Sequence, residues 1–292
     1  MADVTPKILV PIGFSEQSLV ALEQAVVFAK AMKAKIVMVS ILSDEKSYKE
    51  LFKGIEGKDK IKDAVRTKLE ELKIAYSSST GLEFDYMVAE GTIYEEIARI
   101  TEQIGAGLVI MGTNGKPQNL KKRFIGSNAY RTVTTVDPPV ITIKGVRNID
   151  EIKTIIFPLV LDRRSKEKVG PALHYARLFN AQIKVVSILN KVEDNKMIKS
   201  HMQQVEKFIT DHGITCTSQV IVPETKGTVR NVLEYAYQNK GDLLIITEDE
   251  KDWDLTDFFI SSDVQSMIYH SEIPVMCVTP SKLKYEAMWL NQ

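Results

Sequence analysis

Residues 36–42 read Ile-Val-Met-Val-Ser-Ile-Leu, and this apolar run decides the fold. A run of that length and composition is typical of a strand buried on both faces of a parallel sheet. Its last four residues recur as Val-Ser-Ile-Leu at 186–189, 147 positions later, and the two copies align without a gap from residue 8 to residue 42. We therefore interpret the chain as a duplicated domain, since the period is far too long for a solenoid.

The C-terminal parts of the two copies align at a different offset. Residues 108–143 match residues 243–278 without a gap at a shift of 135 positions. The two shifts differ by 12 positions, so the first copy carries an insertion of about that length, which we place in the polar stretch Ser43–Gly57. The predicted domains are residues 1–146 and 151–281, followed by a C-terminal tail at residues 282–292.

Apolar runs alternate with helical periodicities in both copies. The predicted strands of the first copy are Lys7–Ile12, Ile36–Leu42, Phe84–Ala89, Leu108–Met111 and Val140–Lys144. Those of the second copy are Thr154–Leu161, Ile183–Leu189, Thr217–Val222, Leu243–Thr247 and Val275–Thr279. Regular alternation of strands and helices favours the α/β class. We predict two Rossmann-like domains, each a five-stranded parallel sheet with helices on both faces.

Three residues bear on where helices begin. Either Ser15 or Ser18 can cap the first helix of the first copy, because a serine hydroxyl accepts from a free backbone N–H there. Pro171 has no N–H, so it must lie in the first turn of its helix or kink it.

Composition excludes several classes of protein. Lys plus Arg and Asp plus Glu both number 38, so no overall field attracts nucleic acid or an anionic membrane. No apolar run approaches the ~20 residues that span a bilayer, and Met1–Lys7 lacks a signal-peptide pattern. Cys216 and Cys277 stand alone, without metal-binding or redox spacing. We expect a cytoplasmic protein with reduced, buried thiols.

A glycine loop follows the fourth predicted strand. It contains Gly112 and Gly115, then ten residues, then Gly126-Ser127 at the start of a helix. Glycines allow close approach of the backbone to a phosphate, and the helix N-terminus offers unpaired N–H groups to an anion. Four basic residues in the loop would add positive charge: Lys116, Lys121, Lys122 and Arg123. A glycine turn with a capped helix and a solvated basic loop is the alternative reading.

The sequence resembles the universal stress protein family across nearly its whole length. The resemblance is carried by Ile8–Ile12 with Phe14-Ser15-Glu16, by Val39-Ser40-Ile41, by Gly91, by Leu108–Gly112 with the glycine loop, and by Pro139-Val140. It implies an adenine nucleotide alpha hydrolase-like fold and ATP binding, with Mg²⁺ as an optional companion, in the first domain only. Residues implied at this site are Pro11, Gly13, Ile41, Met111, Gly112, Gly115, Gly126, Ser127 and Asn128.

Two departures from the family pattern concern this site. Ten residues separate Gly115 from Gly126, where the family pattern has nine. Gly13 stands where the family commonly has an Asp that contacts adenine. Loss of that carboxylate removes one or two hydrogen bonds, each worth about 0.5–1.5 kcal/mol, so base selectivity is expected to be weak.

The second copy lacks the features of a phosphate site. Thr247, Glu250 and Ser261 replace the three loop glycines, and Thr256-Asp257-Phe258 replaces the basic run. Side chains would block the backbone, and carboxylates would repel phosphate. The acidic loop lacks the spacing of a known calcium motif, so we interpret it as a solvated loop rather than a metal site.

The preferred hypothesis is a nucleotide-responsive stress protein whose loop is ordered by ATP. The alternatives are an interaction module that binds no nucleotide and acts through protein contacts, and an ATP-using enzyme with an adenylating site. No general base or positioned nucleophile is evident, so any ATP hydrolysis would be slow and incidental. The family resemblance also implies pairing of the edge strands Val140–Lys144 and Val275–Thr279 within one chain, and association of two chains into a homodimer is considered as well.

Overall fold

The chain forms two compact units in a computed structural model, Met1–Asn148 and Ile149–Gln292. The structure describes residues 5–43, 52, 55, 57–113, 128–145, 150–159, 169–189, 195–222, 227–247 and 261–278. Each unit is described below by itself.

The first unit is a parallel sheet wrapped by helices. Its strands are β1 (Lys7–Pro11), β2 (Lys35–Leu42), β3 (Phe84–Glu90), β4 (Leu108–Gly112) and β5 (Val140–Ile143). Its helices are α1 (Glu16–Met32), α2 (Lys58–Thr80), α3 (Ile93–Ile104) and α4 (Asn128–Thr135). The strand order is β3-β2-β1-β4-β5, with every neighbouring pair parallel.

The second unit repeats this order. Its strands are β6 (Thr154–Pro158), β7 (Gln182–Ile188), β8 (Cys216–Ile221), β9 (Leu243–Thr247) and β10 (Val275–Val278). Its helices are α5 (Gly170–Phe179), α6 (Asn195–Asp211), α7 (Thr228–Gln238) and α8 (Ser261–His270). The strand order β8-β7-β6-β9-β10 is again all parallel. The predicted α/β class with five parallel strands per unit is confirmed.

The apolar runs form the central strands because those strands are buried in the core of each unit. Ile8, Leu9, Leu108 and Val109 are fully buried, and the corresponding residues of the second unit are equally enclosed. Right-handed crossovers that run in opposite directions from the centre of each sheet place helices on both faces, which is why these central strands have no polar face. No helix in the parts of the chain that the structure describes is long and apolar enough to cross a membrane.

The observed start of α1 shows which of the two candidate serines is its N-cap. Ser15 is the N-cap of α1, and its side chain accepts from the Ser18 N–H at 3.3 Å. Ser18 is instead buried in the first turn, where its hydroxyl donates to the Ser15 carbonyl at 2.8 Å. Pro171 lies in the first turn of α5, as its missing N–H requires.

The extra length of the first unit is shared between a loop and a helix. Strand register makes Phe84 equivalent to Cys216, because Ile36 pairs with Phe84 and Ile183 pairs with Cys216. Helix α2 has 23 residues, whereas α6 has 17. The prediction that the whole insertion lies in Ser43–Gly57 is therefore wrong in part, because some of the extra residues lengthen α2. A polar loop and an exposed polar helix have similar compositions, so the sequence did not distinguish them.

Two buried hydroxyls lie on the helices α3 and α4, which pack together. Thr101 is 4% exposed and Thr132 is fully buried. Within the described residues, neither Oγ1 atom has a hydrogen-bond partner. An unpaired buried hydroxyl costs roughly 1–3 kcal/mol of stability.

We expect Thr132→Val to raise the free energy of unfolding by about 1 kcal/mol, because valine fills the same space without burying an unpaired hydroxyl. Urea denaturation measures the change. The matched control is Thr134→Val on the same helix, since Thr134 is exposed and its hydroxyl donates to backbone carbonyls. A lower midpoint for Thr132→Val would show that the hydroxyl has a stabilising partner.

Candidate functional site

The strand order of the first unit reverses between β1 and β4. The chain moves outward from β1 to β2 and β3, then returns to the other side of β1 with β4. Connections after β1 and β4 therefore leave in opposite directions at their carboxyl ends. In open parallel sheets this switch point is the place where ligands bind.

Pro11 limits the hydrogen bonding between the two strands at this point. The ladder of β1 with β4 consists of Ile8↔Leu108 and Leu9↔Val109. The Ile12 N–H donates to the Val39 carbonyl on β2 at 2.7 Å, so the preceding nitrogen, that of Pro11, faces β4. Proline has no hydrogen to donate there. The Pro11 nitrogen therefore cannot extend the ladder toward the carboxyl ends of the two strands.

Gly112 forms one side of this switch point for a steric reason. A Cβ atom added to Gly112 would lie 2.4 Å from the Gln17 carbonyl oxygen and 2.8 Å from the Ser18 nitrogen. The missing side chain thus admits the first turn of α1 against the end of β4. The sequence suggested that Gly112 is needed for the approach of a ligand, but the packing of the protein itself already demands a glycine.

The packing of the described residues does not require a glycine at position 13. Gly13 is exposed, and a Cβ atom added to it would have no neighbour within 4 Å among the residues that the structure describes. Its backbone is also outside the left-handed region. None of these described residues would obstruct a larger side chain at the carboxyl end of β1.

The remaining predicted site residues divide into three groups. Ile41 and Met111 are each 5% exposed and lie near the carboxyl ends of β2 and β4, on the same edge of the sheet as Pro11. Asn128 is exposed and begins α4. Gly115, Gly126 and Ser127 lie outside the described residues, as does the basic run between them.

An aromatic pair beside Gly13 was missed by sequence reasoning. Phe14 has φ +57°, a left-handed conformation that aromatic residues seldom adopt. Its ring meets Phe52 edge to face, with 6.0 Å between the ring centroids. Phe52 is 7% exposed although it belongs to the inserted stretch. A phenylalanine within a polar insertion is the one feature of the sequence that could have drawn attention to it.

The second unit keeps the switch point and changes its surroundings. The ladder of β6 with β9 is again only two pairs long, and the Leu159 N–H donates to Val186 on β7 at 2.9 Å. Thr247, however, occupies the position of Gly112. Residues 160–168, which include the positions aligned with the start of α1, lie outside the described residues.

Asp263 in the second unit stands where Asn128 stands in the first. It lies in the first turn of α8, and partial burial raises the pKa of its carboxyl group. A neutral amide that can donate is thus replaced by a group that cannot donate once ionised. The neighbouring acidic loop, residues 248–260, lies outside the described residues.

Two observations concern titratable groups away from the switch point. Burial raises the pKa of the Cys216 thiol to about 12, with a further contribution from Glu206, so the thiol is protonated and a weak nucleophile at neutral pH. Among the residues that the structure describes, no group of three or more His, Cys, Asp or Glu side chains could hold a metal ion.

Gly112→Ala is expected to lower the free energy of unfolding by about 2–3 kcal/mol, because the new methyl group meets backbone atoms of α1 that cannot move independently. The matched control is Gly13→Ala, which adds the same atom in open space at the same sheet edge. Thermal or urea unfolding compares the two. Equal stability of both variants would contradict the close packing of α1 on β4.

Comparison with known proteins identifies the first unit. The model of the universal stress protein family matches residues 5–144. A universal stress protein of Methanocaldococcus jannaschii is 29% identical over 161 residues, which cover 49% of this chain and 98% of that protein. Residues 5–144 therefore form a domain of the universal stress protein family, homologous to these proteins. The family match ends before the second unit.

Two solved structures are similar to this chain over different lengths. A universal stress protein from Archaeoglobus fulgidus covers 94% of this chain and 96% of that chain, with 16% identity and a TM-score of 0.71. Another universal stress protein from Archaeoglobus fulgidus, solved in complex with dAMP, covers 43% of this chain and 97% of that chain, with 17% identity and a TM-score of 0.35.

Proposed function

We propose that the chain is a stress-response protein that binds an adenine nucleotide, ATP or a close relative, at the switch point of its first unit. The observation that carries the proposal is the switch point at the carboxyl ends of β1 and β4, where Pro11 has no N–H to extend the ladder and the neighbouring Gly13 is exposed. Binding orders the glycine loop, and the ordered loop is the signal that a partner reads.

In this proposal the phosphates of the nucleotide lie beside the N-terminus of α4. That helix begins at Asn128, directly after Gly126-Ser127, and its N-terminus presents free N–H groups to an anion. The base belongs on the side of Gly13 and Ile41, where the sheet edge is open and apolar. The ribose would span the ends of β1 and β4 between them.

The second unit has no equivalent nucleotide site in this proposal. Thr247, Glu250 and Ser261 add side chains at the three glycine positions, and Asp263 replaces the amide of Asn128. The expected stoichiometry is one nucleotide per chain. Mg²⁺ accompanies the phosphates as an optional component, because the described residues of the first unit offer it no carboxylate cluster.

The first experiment identifies any nucleotide released from freshly purified, denatured protein and then titrates the emptied protein with ATP by calorimetry, with and without Mg²⁺. We expect saturable binding near one per chain. The variant with Gly115→Glu and Gly126→Ser copies the second unit and should bind at least tenfold more weakly, because side chains and a carboxylate then occupy the phosphate position.

The control for that variant is Gln238→Glu, which adds a carboxylate on the exposed surface of the second unit, together with a melting curve that shows the double variant is folded. No released nucleotide and no heat at millimolar ATP would overturn the proposal. The protein would then be an interaction module that acts through protein contacts alone.

Gly13→Asp should tighten ATP binding by about three- to tenfold, since the carboxylate would accept one or two hydrogen bonds from the base and nothing within 4 Å of the new Cβ obstructs it. Gly13→Ala adds bulk without an acceptor and should leave the dissociation constant unchanged. Calorimetric titration of both variants separates the two effects. Unchanged binding by Gly13→Asp would place the base away from β1.

We also propose pairing of two edge strands within the chain and association of two chains. Pairing of Val140–Lys144 with Val275–Thr279 would protect the edges of the two sheets within one chain. Association of two such chains would give a homodimer, which sedimentation velocity would detect.

A further inference from the structure

An arginine and a tyrosine meet near the starts of α3 and α4. The guanidinium group of Arg131, early in α4, lies over the ring of Tyr94 in the first turn of α3, with 5.1 Å between its Cζ atom and the ring centroid. Arg131 is exposed and Tyr94 is half-buried. The two helices follow the parallel strands β3 and β4 directly in the chain order. The Arg131–Tyr94 pair therefore lies at the carboxyl edge of the sheet, as the switch point does.

The positive charge of Arg131 has no carboxylate partner among the residues that the structure describes. Two acidic residues, Glu95 and Glu96, lie in the same turn of α3 as Tyr94. The Tyr94 hydroxyl donates to Glu95 at 3.0 Å, and Glu96 forms an ion pair with Arg99 at 2.7 Å. Both carboxylates thus have other partners, and the guanidinium group keeps its charge for a ligand.

Contact with Tyr94 leaves the donors of Arg131 accessible. A guanidinium group is planar, and its five N–H donors all point outward in that plane. An aromatic ring attracts the cation over its face, so it restrains the side chain without consuming those donors. A restrained fork of donors is suited to phosphate, whose oxygens accept two parallel hydrogen bonds from one arginine.

Helix geometry directs Arg131 toward the phosphate side of the candidate site. Residues three apart lie on one face of a helix, so Arg131 shares a face with Asn128 at the start of α4. Side chains on a helix point back toward its N-terminus. In the proposed nucleotide site the α-phosphate adjoins the ribose at the strand ends. The phosphates that follow it extend toward the exposed surface of α4, where Arg131 lies.

The second unit lacks both members of the pair. Ser266 on α8 aligns with Arg131 at the shift of 135 positions. Val229 is the second residue of α7, as Tyr94 is of α3. The same face of α8 begins with the acidic residue Asp263. The Arg131–Tyr94 pair therefore occurs only in the unit that keeps the glycine loop, and the charge on this helix face is reversed in the other unit.

We infer that Arg131 binds the β- and γ-phosphates of the nucleotide, that Tyr94 positions it, and that the site thereby distinguishes nucleoside triphosphates from monophosphates. The inference rests on the proposed nucleotide binding and adds the residues that determine its dependence on phosphate number. The single phosphate of AMP lies beside the ribose and gains little from Arg131. ATP places two further charged groups within reach of the guanidinium group, so ATP binds more tightly.

Calorimetric titrations of the full chain with ATP, ADP and AMP at one Mg²⁺ concentration test the inference. We expect ATP to bind about tenfold more tightly than AMP, with ADP between them. Arg131→Gln should weaken ATP binding about tenfold and AMP binding less than about twofold, because only the longer nucleotides lose a charge-assisted contact. The dependence of ATP binding on salt concentration should also become shallower in this variant.

Two variants of Tyr94 separate the role of its ring from that of its hydroxyl group. Tyr94→Leu removes the ring and should weaken ATP binding about threefold with AMP binding unchanged, because the guanidinium group is no longer restrained. Tyr94→Phe keeps the ring and loses only the hydrogen bond to Glu95, so it should bind ATP as the unchanged protein does. A purely structural role of Tyr94 would weaken ATP and AMP binding alike.

The matched control is Arg99→Gln. Arg99 is also an exposed arginine of the first unit, but its guanidinium group is held by Glu96 and Gln103 on α3. The control removes the same charge and should keep the preference for ATP over AMP. Melting curves of all four variants show that each is folded at the temperature of the titrations.

The outcomes separate the inference from the function on which it rests. Absence of binding by all three nucleotides overturns the proposed function itself. An unchanged preference for ATP over AMP in Arg131→Gln, or equal weakening of both nucleotides, overturns the role of Arg131 and leaves nucleotide binding in place. Equal loss of ATP binding in Tyr94→Phe and Tyr94→Leu overturns positioning by the ring.

Discussion

A missing hydrogen at Pro11 shapes the candidate site of the first unit. The β1 strand is flanked on both sides, and every second nitrogen of it faces β4. A residue with an N–H at position 11 could extend the ladder of β1 with β4 and draw the strand ends together. Proline prevents this while β1 stays bonded to β2 through Ile12. One side chain thus ends the β1–β4 ladder at the switch point, where ligands bind in open parallel sheets.

The rest of the site follows from how the neighbouring elements fit around that switch point. Helix α1 can start close to it because Gly112 has no side chain. The cap at Ser15 fixes the position of the first turn, and the Phe14 conformation fixes the direction of the loop between Gly13 and the helix. The same few residues therefore determine both the stability of this edge of the sheet and access to it. A residue of the candidate site is here also a packing residue.

The sequence was most informative where periodicity and duplication act together. Central strands show apolar runs, and the outer strands β3 and β8 mix apolar with polar residues. These patterns located all ten strands of the described residues from the sequence, with ends that differ by three residues at most. Side-chain contacts between distant segments leave no such pattern. The contact of Phe52 with Phe14 and the steric role of Gly112 depend on the tertiary path of the chain, and local spacing does not encode that path. The choice between Ser15 and Ser18 as the cap likewise depended on which hydroxyl faces the free N–H groups.

The fit of Gly112 against α1 also limits which changes this domain can tolerate. The glycine and the helix start depend on each other, because they share one small volume. A side chain at position 112 would require the first turn of α1 to move, and the Ser15 cap fixes that turn. The residue at the end of β4 and the start of α1 can therefore change only together.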